Sequence, residues 1–386
     1  MMLYGEKRDW VDMLIKACSI CGNRTYDEVL SFKTGYMSDG LNSEFPLVKE
    51  ECKKCGTIRT KAGFDWKNFY ENEYSPSRKI DTLVIDNDIE KTRSDFIYEW
   101  ISSLFTTIDH ETFSSLLEIG CGQGHLLDKF KIKDKFGIEP SLEASAKASE
   151  KGEIRNIGYE KIDDNERYDL LLSYCVIEHI ENLDLFLMKQ KNILNKNGCM
   201  VIALPIQDKF NYDLFFMDHL YHFSHEIFQK LLNKHGFEVL TYELGKGSYS
   251  NIGLYICAHS KNINVPLFEF QKNKNLENIK SMLDNVNEVI TKYGKASCYA
   301  FGYGEIAKTV MPYTKLRECI ITYIDDFAHG DNIISSQMAK KIFIQKKQVI
   351  NIILLVNPQH KDKIMDIFKD NINIHYIDIF QGIEIE

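Results

Sequence analysis

The chain has 386 residues, 44% of them hydrophobic and 12% aromatic, and a formal net charge of −9 at pH 7. This apolar content excludes a disordered chain as the default, and the length predicts about two or three domains. The acidic balance and the lack of a long Lys/Arg block argue against a nucleic-acid partner. No run of about 18 apolar residues occurs and acidic residues stand near the start, so we expect no signal peptide, no membrane span and a cytoplasmic protein.

Four of the ten cysteines form two C-x-x-C pairs, each followed by glycine: Cys18 and Cys21, then Cys52 and Cys55. The shape is that of a rubredoxin-like knuckle, and two knuckles supply the four soft ligands of a closed structural zinc site. A redox pair or a coincidence is the alternative. Glycines and a proline between the pairs predict hairpins. We therefore expect a zinc-binding module over residues 1–75, and the other six cysteines should be small core residues.

A polar, aromatic segment follows this module. Its Tyr74 is a candidate for closing over a ligand, although tyrosines in such segments usually only pack. An amphipathic pattern over Ile89–Thr106 then predicts a helix that leads into the first strand of a second domain.

The sequence E-x-G-x-G-x-G follows a short apolar run and contains Glu118, Gly120, Gly122 and Gly124. Glycines at this spacing let the backbone bend sharply and let a ligand lie against it, and the next helix aims its N-terminal amides at that ligand. A dinucleotide-binding turn would need glycine where His125 stands. A glycine-rich turn without a ligand is the alternative. The motif resembles the first motif of class I S-adenosylmethionine (SAM)-dependent methyltransferases, which implies that these residues surround the methionine part of SAM.

A second predicted strand ends at Glu139, about 20 residues after the glycines, where an acidic side chain can accept both ribose hydroxyls. Its alternative role is a cap of the helix predicted for Leu142–Lys151. The next strand is predicted to end at Ser173. The V-I-E-H sequence up to His179 resembles the segment in which the methyltransferase chain leaves the sheet at the cofactor and substrate, so both residues are candidates. The alternation of elements predicts a doubly wound, Rossmann-like α/β domain over residues 76–262.

Three histidines fall within seven positions, namely His219, His222 and His225. They titrate near neutrality, and Ser224 is the expected N-cap of a helix predicted for Glu226–His235. A metal site is an alternative, although no i,i+4 pair on a helix supports it. Plain scaffold is another.

The last part, residues 263–386, predicts a smaller α/β domain. A long helix over Leu276–Tyr293 precedes a strand at Cys298–Phe301 and a turn at Gly302–Gly304. This order is Rossmann-like, but a lone G-x-G is weak evidence for a nucleotide, and a structural lid stays open as an alternative.

The three parts in this order resemble the nucleotide-sugar C-methyltransferases, which act on 4-keto sugars. The resemblance implies SAM as cofactor, a structural zinc ion and a small-molecule substrate. It also implies that a base removes the proton next to the ketone, which gives an enolate that takes the methyl group. It matches His219 to the general base, Asp218 to its acidic neighbour and His179 to the histidine after the cofactor strand.

The family motif Y-x-E-H-x-x-Y-F-S is changed here, since Phe216 replaces the first tyrosine. Phenylalanine cannot donate a hydrogen bond, so we expect an enolate donor elsewhere, such as Tyr221 or Tyr74. One alternative function is an O- or N-methyltransferase that acts on a sugar or another small polar metabolite, with His219 or His222 as base. A non-catalytic protein that keeps cofactor and zinc for stability is another.

Overall fold

The computed structural model describes residues 17–61, 63–74, 81, 83–86, 89–105, 112–261, 266–357, 360–371 and 373–383. The predicted domain boundaries, between residues 75 and 76 and between 262 and 263, lie outside the described residues. So does Thr106, the predicted end of the helix before the central domain.

The N-terminal part folds into short antiparallel strands, in agreement with the hairpins predicted between the two cysteine pairs. Strand β4 pairs with β1 on one side and with β5 on the other, and β2 pairs with β3 in a separate ribbon. A short helix at Trp66–Asn68 and a π-helical turn at Phe69–Glu73 follow these strands. The five strands are β1 (Tyr26–Phe32), β2 (Gly35–Tyr36), β3 (Asn42–Ser43), β4 (Leu47–Cys52) and β5 (Ile58–Thr60).

The helix predicted from Ile89 begins four residues later. Strand β6 (Leu83–Asp86) pairs with β7 (Ile89–Thr92), and helix α1 (Arg93–Leu104) follows directly. The side chain of Thr92 accepts a hydrogen bond from the backbone N–H of Asp95, so Thr92 is the N-cap. The predicted start was wrong because an amphipathic pattern does not reveal a cap within it.

A seven-stranded sheet forms the central domain, as the alternating sequence predicts. Its order is β10-β9-β8-β11-β12-β15-β14, and β15 alone runs in the direction opposite to the other six strands. The middle strands are continuous apolar runs, which suits strands covered on both faces. The strands are β8 (Ser115–Ile119), β9 (Asp134–Ile138), β10 (Glu153–Arg155), β11 (Tyr168–Tyr174), β12 (Leu194–Pro205), β14 (Phe237–Leu244) and β15 (Ile252–His259).

Four helices connect these strands and cover the sheet. Ser224 caps the last of them by accepting from the backbone N–H of Ile227, so the predicted N-cap is confirmed. Ser141 caps the second by accepting from the N–H of Ala144, so Glu139 is not the cap of that helix. The helices are α2 (His125–Lys129), α3 (Leu142–Ala148), α4 (Leu183–Ile193) and α5 (His225–Lys234).

One strand of the central part of the chain belongs to the N-terminal sheet. Strand β13 (Tyr221–His222) pairs antiparallel with β5, so that Tyr221 lies opposite Arg59 and His222 lies opposite Ile58. The N-terminal sheet therefore has the order β1-β4-β5-β13. Two of the three clustered histidines flank or lie in this strand, so the cysteine-bearing module and the histidine segment share a backbone ladder.

The C-terminal part forms a five-stranded parallel sheet with the order β18-β17-β16-β19-β20. It begins with helix α6 (Lys274–Tyr293), capped by Asn273 and ended by Gly294, close to the predicted limits. None of the described helices combines the length with the apolar character that a membrane crossing requires. The remaining elements are β16 (Cys298–Phe301), α7 (Glu305–Val310), α8 (Leu316–Cys319), β17 (Ile320–Ile324), β18 (Ile333–Ile334), α9 (Ser336–Ile344), β19 (Ile350–Leu354), α10 (Lys361–Ile367) and β20 (Ile374–Asp378).

The N-terminal module contributes to two separate hydrophobic cores. Leu47 packs in the core that contains Phe223 and one face of the central sheet. Ile58 packs in another core with Phe215 and with Met282 of helix α6. Because the module has buried apolar contacts with both the central part and the C-terminal part of the chain, it connects the two.

Candidate active site

A cleft of about 740 Å³ opens at the carboxyl ends of the central strands β8, β9 and β11. In open α/β sheets this edge is where ligands bind. The glycine turn after β8 forms one wall, and Tyr70 and Tyr74 of the N-terminal module form another. The histidine segment closes the end of the cleft through His219.

Backbone geometry explains the three glycines of the turn. Gly120, Gly122 and Gly124 have φ values of +70°, +54° and +72°, which L side chains rarely adopt. A Cβ at Gly120 would lie 2.6 Å from a methyl carbon of Val176, whereas a Cβ at Gly122 would meet nothing within 4 Å. Packing therefore requires the first glycine, and the second leaves its backbone open towards the cleft. Gly124 does not line the cleft; it packs against Ala148.

Two buried carboxylates flank this turn. Glu139 accepts hydrogen bonds from the backbone N–H groups of Gly122 and Ser141, both at 2.9 Å, and lines the cleft at the end of β9. Burial raises the pKa of Glu139. Burial also raises the pKa of Glu118 to about 8, and Glu118 Oε2 has no hydrogen-bond partner among the described residues. The turn thus offers a ligand one buried carboxyl oxygen, Glu118 Oε2, that no described residue satisfies.

The other two predicted cofactor residues differ in placement. Tyr74 lines the cleft and its ring lies 5.4 Å from that of Tyr70. Ser173 is fully buried within β11, its hydroxyl has no partner among the described residues, and it does not line the cleft. The strand continues one residue beyond Ser173, to Tyr174, which does line the cleft.

Arg93 is a cleft residue that the sequence reasoning missed. It is the first residue of α1, and its guanidinium lies 5.4 Å from the centre of the Tyr174 ring. A cation is unfavourable at a helix N-terminus, where the dipole is positive. An arginine directly after a capping threonine is therefore unusual, and recognising the cap in the sequence would have singled it out.

The histidine at the end of the cleft is paired with an aspartate. His219 Nδ1 forms a short hydrogen bond with Asp213 Oδ1, which leaves Nε2 as the ring nitrogen for a ligand. Burial alone would lower the pKa of His219, but the Asp213 carboxylate raises it above the ordinary value. Burial would likewise raise the pKa of Asp213, but two histidines hold it well below its usual range. Such a pair is a base with an oriented imidazole.

His222 does not face the cleft. Its Nδ1 forms a short hydrogen bond with Asp213 Oδ2, and its Nε2 lies 2.7 Å from Lys49 Nζ. Burial and the Lys49 charge lower the pKa of His222 to about 4. Both ring nitrogens are occupied, so the geometry does not support the alternative in which His222 is the base.

The acidic partner of His219 is thus Asp213, whereas Asp218 has another role. Asp218 accepts hydrogen bonds from the backbone N–H and the hydroxyl of Ser38, both at 2.7 Å. Its Oδ2 lies 3.7 Å from His179 Nδ1. His179 lines the cleft, and its Nδ1 also lies 2.7 Å from the hydroxyl of Tyr70. The predicted residues Asp218 and His179 therefore form a second pair beside the first.

Two further side chains, those of Tyr221 and Glu178, are candidates for the hydrogen-bond donor in the cleft. Tyr221 does not line the cleft, because its hydroxyl lies 2.7 Å from Ser19 Oγ on the other side of β13. Glu178 does line it, and neither carboxylate oxygen has a hydrogen-bond partner among the described residues. Burial raises the pKa of Glu178 to about 7, so its acid form is populated at neutral pH and can donate a hydrogen bond. Glu178 is the glutamate of the V-I-E-H sequence, so its position after the strand could have identified it as a cleft residue.

The three clustered histidines do not converge on one point. His225 stacks on the ring of Tyr242, with centroids 3.9 Å apart, away from the Asp213 pair. A different set, Glu178 with His179 and His219, places ligand atoms within 4.8 Å of one another. The metal alternative for the clustered histidines is therefore not supported by their placement.

The four N-terminal cysteines come together as the C-x-x-C pairs predict. Two Sγ–Sγ separations are 3.7 and 3.6 Å, and all four sulfurs lie within 4.8 Å of one another. A tetrahedron with Zn–S bonds of about 2.3 Å separates its ligands by about 3.8 Å, so the geometry fits. Gly22 and Gly56 each have a positive φ and close their knuckle with a backbone hydrogen bond. The cluster consists of Cys18, Cys21, Cys52 and Cys55.

Five of the other six cysteines are buried, as expected of small core residues, although the first of them also lines the cleft from the glycine turn: Cys121, Cys199, Cys257, Cys298 and Cys319. Cys175 is the exception, because it is only half-buried, has φ of +54° and lines the cleft after β11. The strand end requires a sharp bend there, which composition alone does not reveal.

Residues 89–242 match the sequence model of a family described as "Methyltransferase domain". With the sheet order and the glycine turn, this match identifies a class I SAM-dependent methyltransferase domain within the chain. The prediction of such a domain is confirmed.

Among curated proteins, the chain is similar to ubiquinone biosynthesis O-methyltransferases. The protein from Rhodopseudomonas palustris (strain TIE-1) is 35% identical over 97 residues, and that from Bradyrhizobium sp. (strain ORS 278) is 34% identical over 98. Each match covers 23% of this chain and 38% of the relative's length. The chain therefore spans well under half the length of these relatives.

Solved structures of methyltransferases are similar at low identity. Magnesium protoporphyrin IX methyltransferase from Synechocystis PCC 6803 with bound SAM has 14% identity and a TM-score of 0.39, covering 52% of this chain and 100% of that chain. A possible histamine N-methyltransferase from Thermotoga maritima has 20% identity and a TM-score of 0.36, covering 43% and 90%.

Removing the charge beside His219 should lower the pKa of that histidine. In Asp213→Asn the carboxylate that raises the His219 pKa is gone while burial remains, so the pKa should fall below the ordinary value for histidine. A pH titration of the His219 ring by NMR measures this. Asp218→Asn is the control, because Asp218 raises the pKa of His219 without bonding to its ring. The pKa of His219 should therefore fall less in this variant than in Asp213→Asn. An equal or larger fall in the control would contradict the assigned pair.

Proposed function

We propose that the protein transfers a methyl group from SAM to the carbon next to the keto group of a nucleotide-linked sugar. One observation carries this proposal: a base, His219 paired with Asp213, and a carboxyl group with unpartnered oxygens and a raised pKa, Glu178, line the same cleft as the glycine turn. Removing a proton next to a carbonyl requires a base at carbon and a hydrogen-bond donor at oxygen.

The residues around the turn fit SAM. Glu139 would accept the ribose hydroxyls with the lone pairs that its two backbone N–H bonds leave unused. Arg93 would pair with the carboxylate of the methionine part, and the unpartnered Oε2 of Glu118 would accept from its amine. Gly122 leaves room for the ligand at the backbone. When bound, SAM supplies an electrophilic methyl group.

In the proposed reaction, His219 Nε2 takes the proton from the carbon beside the carbonyl. The carbonyl oxygen gains the negative charge and accepts a hydrogen bond from Glu178, with Tyr74 as a second candidate donor. SAM, held by the residues around the turn, would supply the methyl group to this carbon, and its sulfur would leave as a neutral thioether. His219 returns its proton to solvent, and Asp213 stabilises the imidazolium in the interval.

The nucleotide-linked form of the sugar is supported by the family resemblance and by the C-terminal sheet. Its strand order is Rossmann-like, and β16 is followed directly by Gly302, whose φ is +99°. Asp325, at the end of β17, accepts from the backbone N–H of Tyr303 in the same turn. We propose this edge of the sheet as the place for the nucleotide.

We also propose that the four cysteines hold a structural zinc ion. The sulfur separations fit a tetrahedron, and four protein ligands leave no position for a substrate. Since β13 pairs with β5 in the same module, the ion would stabilise the segment that carries the base.

A second function, O-methylation of a sugar or another small polar metabolite, is favoured by the relatives, which are ubiquinone biosynthesis O-methyltransferases. It needs the same base, His219, to deprotonate a hydroxyl but no donor at a carbonyl oxygen. The unpartnered acid Glu178 would then have no task, which favours carbon as the acceptor.

Methyl-labelled SAM with a panel of nucleotide-linked sugars, in keto and hydroxyl forms, tests the proposed function. We expect a carbon-bound label on a 4-keto sugar, detected by NMR of the product. A label bound to oxygen would replace this proposal with the second function. SAM binding without transfer to any acceptor in the panel would favour a non-catalytic protein.

Elemental analysis tests the zinc site. The purified full chain should contain a single zinc ion, and Cys52→Ser should lose it together with stability against heat, because metal binding at such a site is folding free energy. Cys257→Ser, a buried cysteine outside the cluster, is the control and should keep its zinc. Full zinc content in Cys52→Ser would contradict the assignment.

A further inference from the structure

One lysine of the N-terminal module lies behind the histidine pair. Lys49, in β4, has no exposed surface, although lysine is rarely buried without partners. Its Nζ lies 2.7 Å from Thr60 Oγ1, 2.8 Å from the Phe216 carbonyl, 3.0 Å from the His219 carbonyl and 2.7 Å from His222 Nε2. Every partner is therefore an acceptor, and the last one is a ring nitrogen rather than an oxygen.

Lys49, His222, Asp213 and His219 are linked in this order by hydrogen bonds. The direction of each bond follows from which group can donate. The low pKa of Asp213 keeps it ionised, so it only accepts, and both histidines donate to it through Nδ1. The low pKa of His222 keeps that ring neutral, with its single proton on Nδ1. Its Nε2 then carries a lone pair, which accepts from Lys49.

We propose that Lys49 is a positioning residue for the base. By donating to His222 Nε2, Lys49 fixes the His222 proton on Nδ1, from which His222 donates to Asp213. Asp213, held in this way, accepts from His219 Nδ1 and so orients His219 Nε2 towards the cleft. Gln207 completes the arrangement by donating to Asp213 Oδ2 at 2.8 Å. This inference rests on the proposed function, since it concerns how the proposed base is held. It assigns the N-terminal module a part in catalysis that reaches beyond stability.

The role does not require a permanent charge on Lys49. Burial lowers the pKa of Lys49 to about 7, against the raising effect of Asp213 and Asp218. A neutral amine still has two N–H groups to donate, and an ammonium has three. Lys49 can therefore donate to His222 Nε2 in both states, and in the ammonium state, which has no lone pair, it can only donate.

Anchoring of the loop is a separate role that must be distinguished from this one. Lys49 and Thr60 both donate to the carbonyl of His219, Thr60 at 2.6 Å, so both fix the backbone of the segment. Only Lys49 reaches His222. Lys49→Met removes both roles at similar length, whereas Thr60→Val removes one anchor and leaves the bond to His222.

Nitrogen NMR of the full chain labelled with ¹⁵N-histidine tests the inference without a substrate. The His222 signals, assigned with His222→Gln, should show a protonated Nδ1 and an unprotonated Nε2 in the wild type and in Thr60→Val. In Lys49→Met this single tautomer should be lost. The turnover number should then fall about 10- to 100-fold, as when a group that orients a functional histidine is removed. The SAM dissociation constant should stay within about twofold, because the glycine turn is not touched.

A wild-type spectrum with the proton on His222 Nε2 would overturn the inference, and it would do so even if Lys49→Met failed to fold. An unchanged tautomer in Lys49→Met, or a changed tautomer with full turnover, would overturn it as well. If no protein transferred a methyl group to any acceptor, the proposed function would fail, and with it the catalytic role of Lys49. The NMR spectra would then show separately whether Lys49 sets the tautomer.

Discussion

The backbone pairing of β13 with β5 is the constraint on which the rest of the site depends. It places Tyr221–His222 in the sheet in which Cys52 ends β4, and it fixes the position of His219 just before that strand. Thr60 adds bonds to the carbonyls of Leu220 and His219 on the same edge. A loop at the end of a cleft would ordinarily be mobile, but here the segment continues into an edge strand of the N-terminal sheet.

Buried charge is the second theme of the site. Lys49, Asp213 and Asp218 are nearly fully buried, and each is surrounded by groups of the opposite hydrogen-bonding type. Such networks are costly unless every member is satisfied, and removing one partner leaves the next unpaired. Glu178 is buried beside this network and lines the cleft, and neither of its carboxyl oxygens has a hydrogen-bond partner in the part of the chain that the structure describes. The imbalance therefore points to the place where a ligand completes the network.

Much of the fold could be predicted because its signals are local. The glycine turn, the two C-x-x-C pairs and the cap at Ser224 each depend on a few adjacent residues. The base network could not be predicted in the same way. Lys49 meets His222 across 173 positions, and Asp213 is recognisable as a partner only when its segment is folded against the N-terminal sheet. Asp218 is adjacent to His219 in sequence, yet its carboxylate bonds to Ser38.

The central claim is that His219 removes a proton from carbon, and deuterium exchange tests it most directly. A 4-keto nucleotide sugar is incubated with the protein and S-adenosylhomocysteine in D₂O, so that no methyl transfer competes. The account predicts that deuterium enters the carbon beside the carbonyl with the wild type and that the rate falls to background with His219→Gln. Exchange that is equally fast in His219→Gln would contradict it.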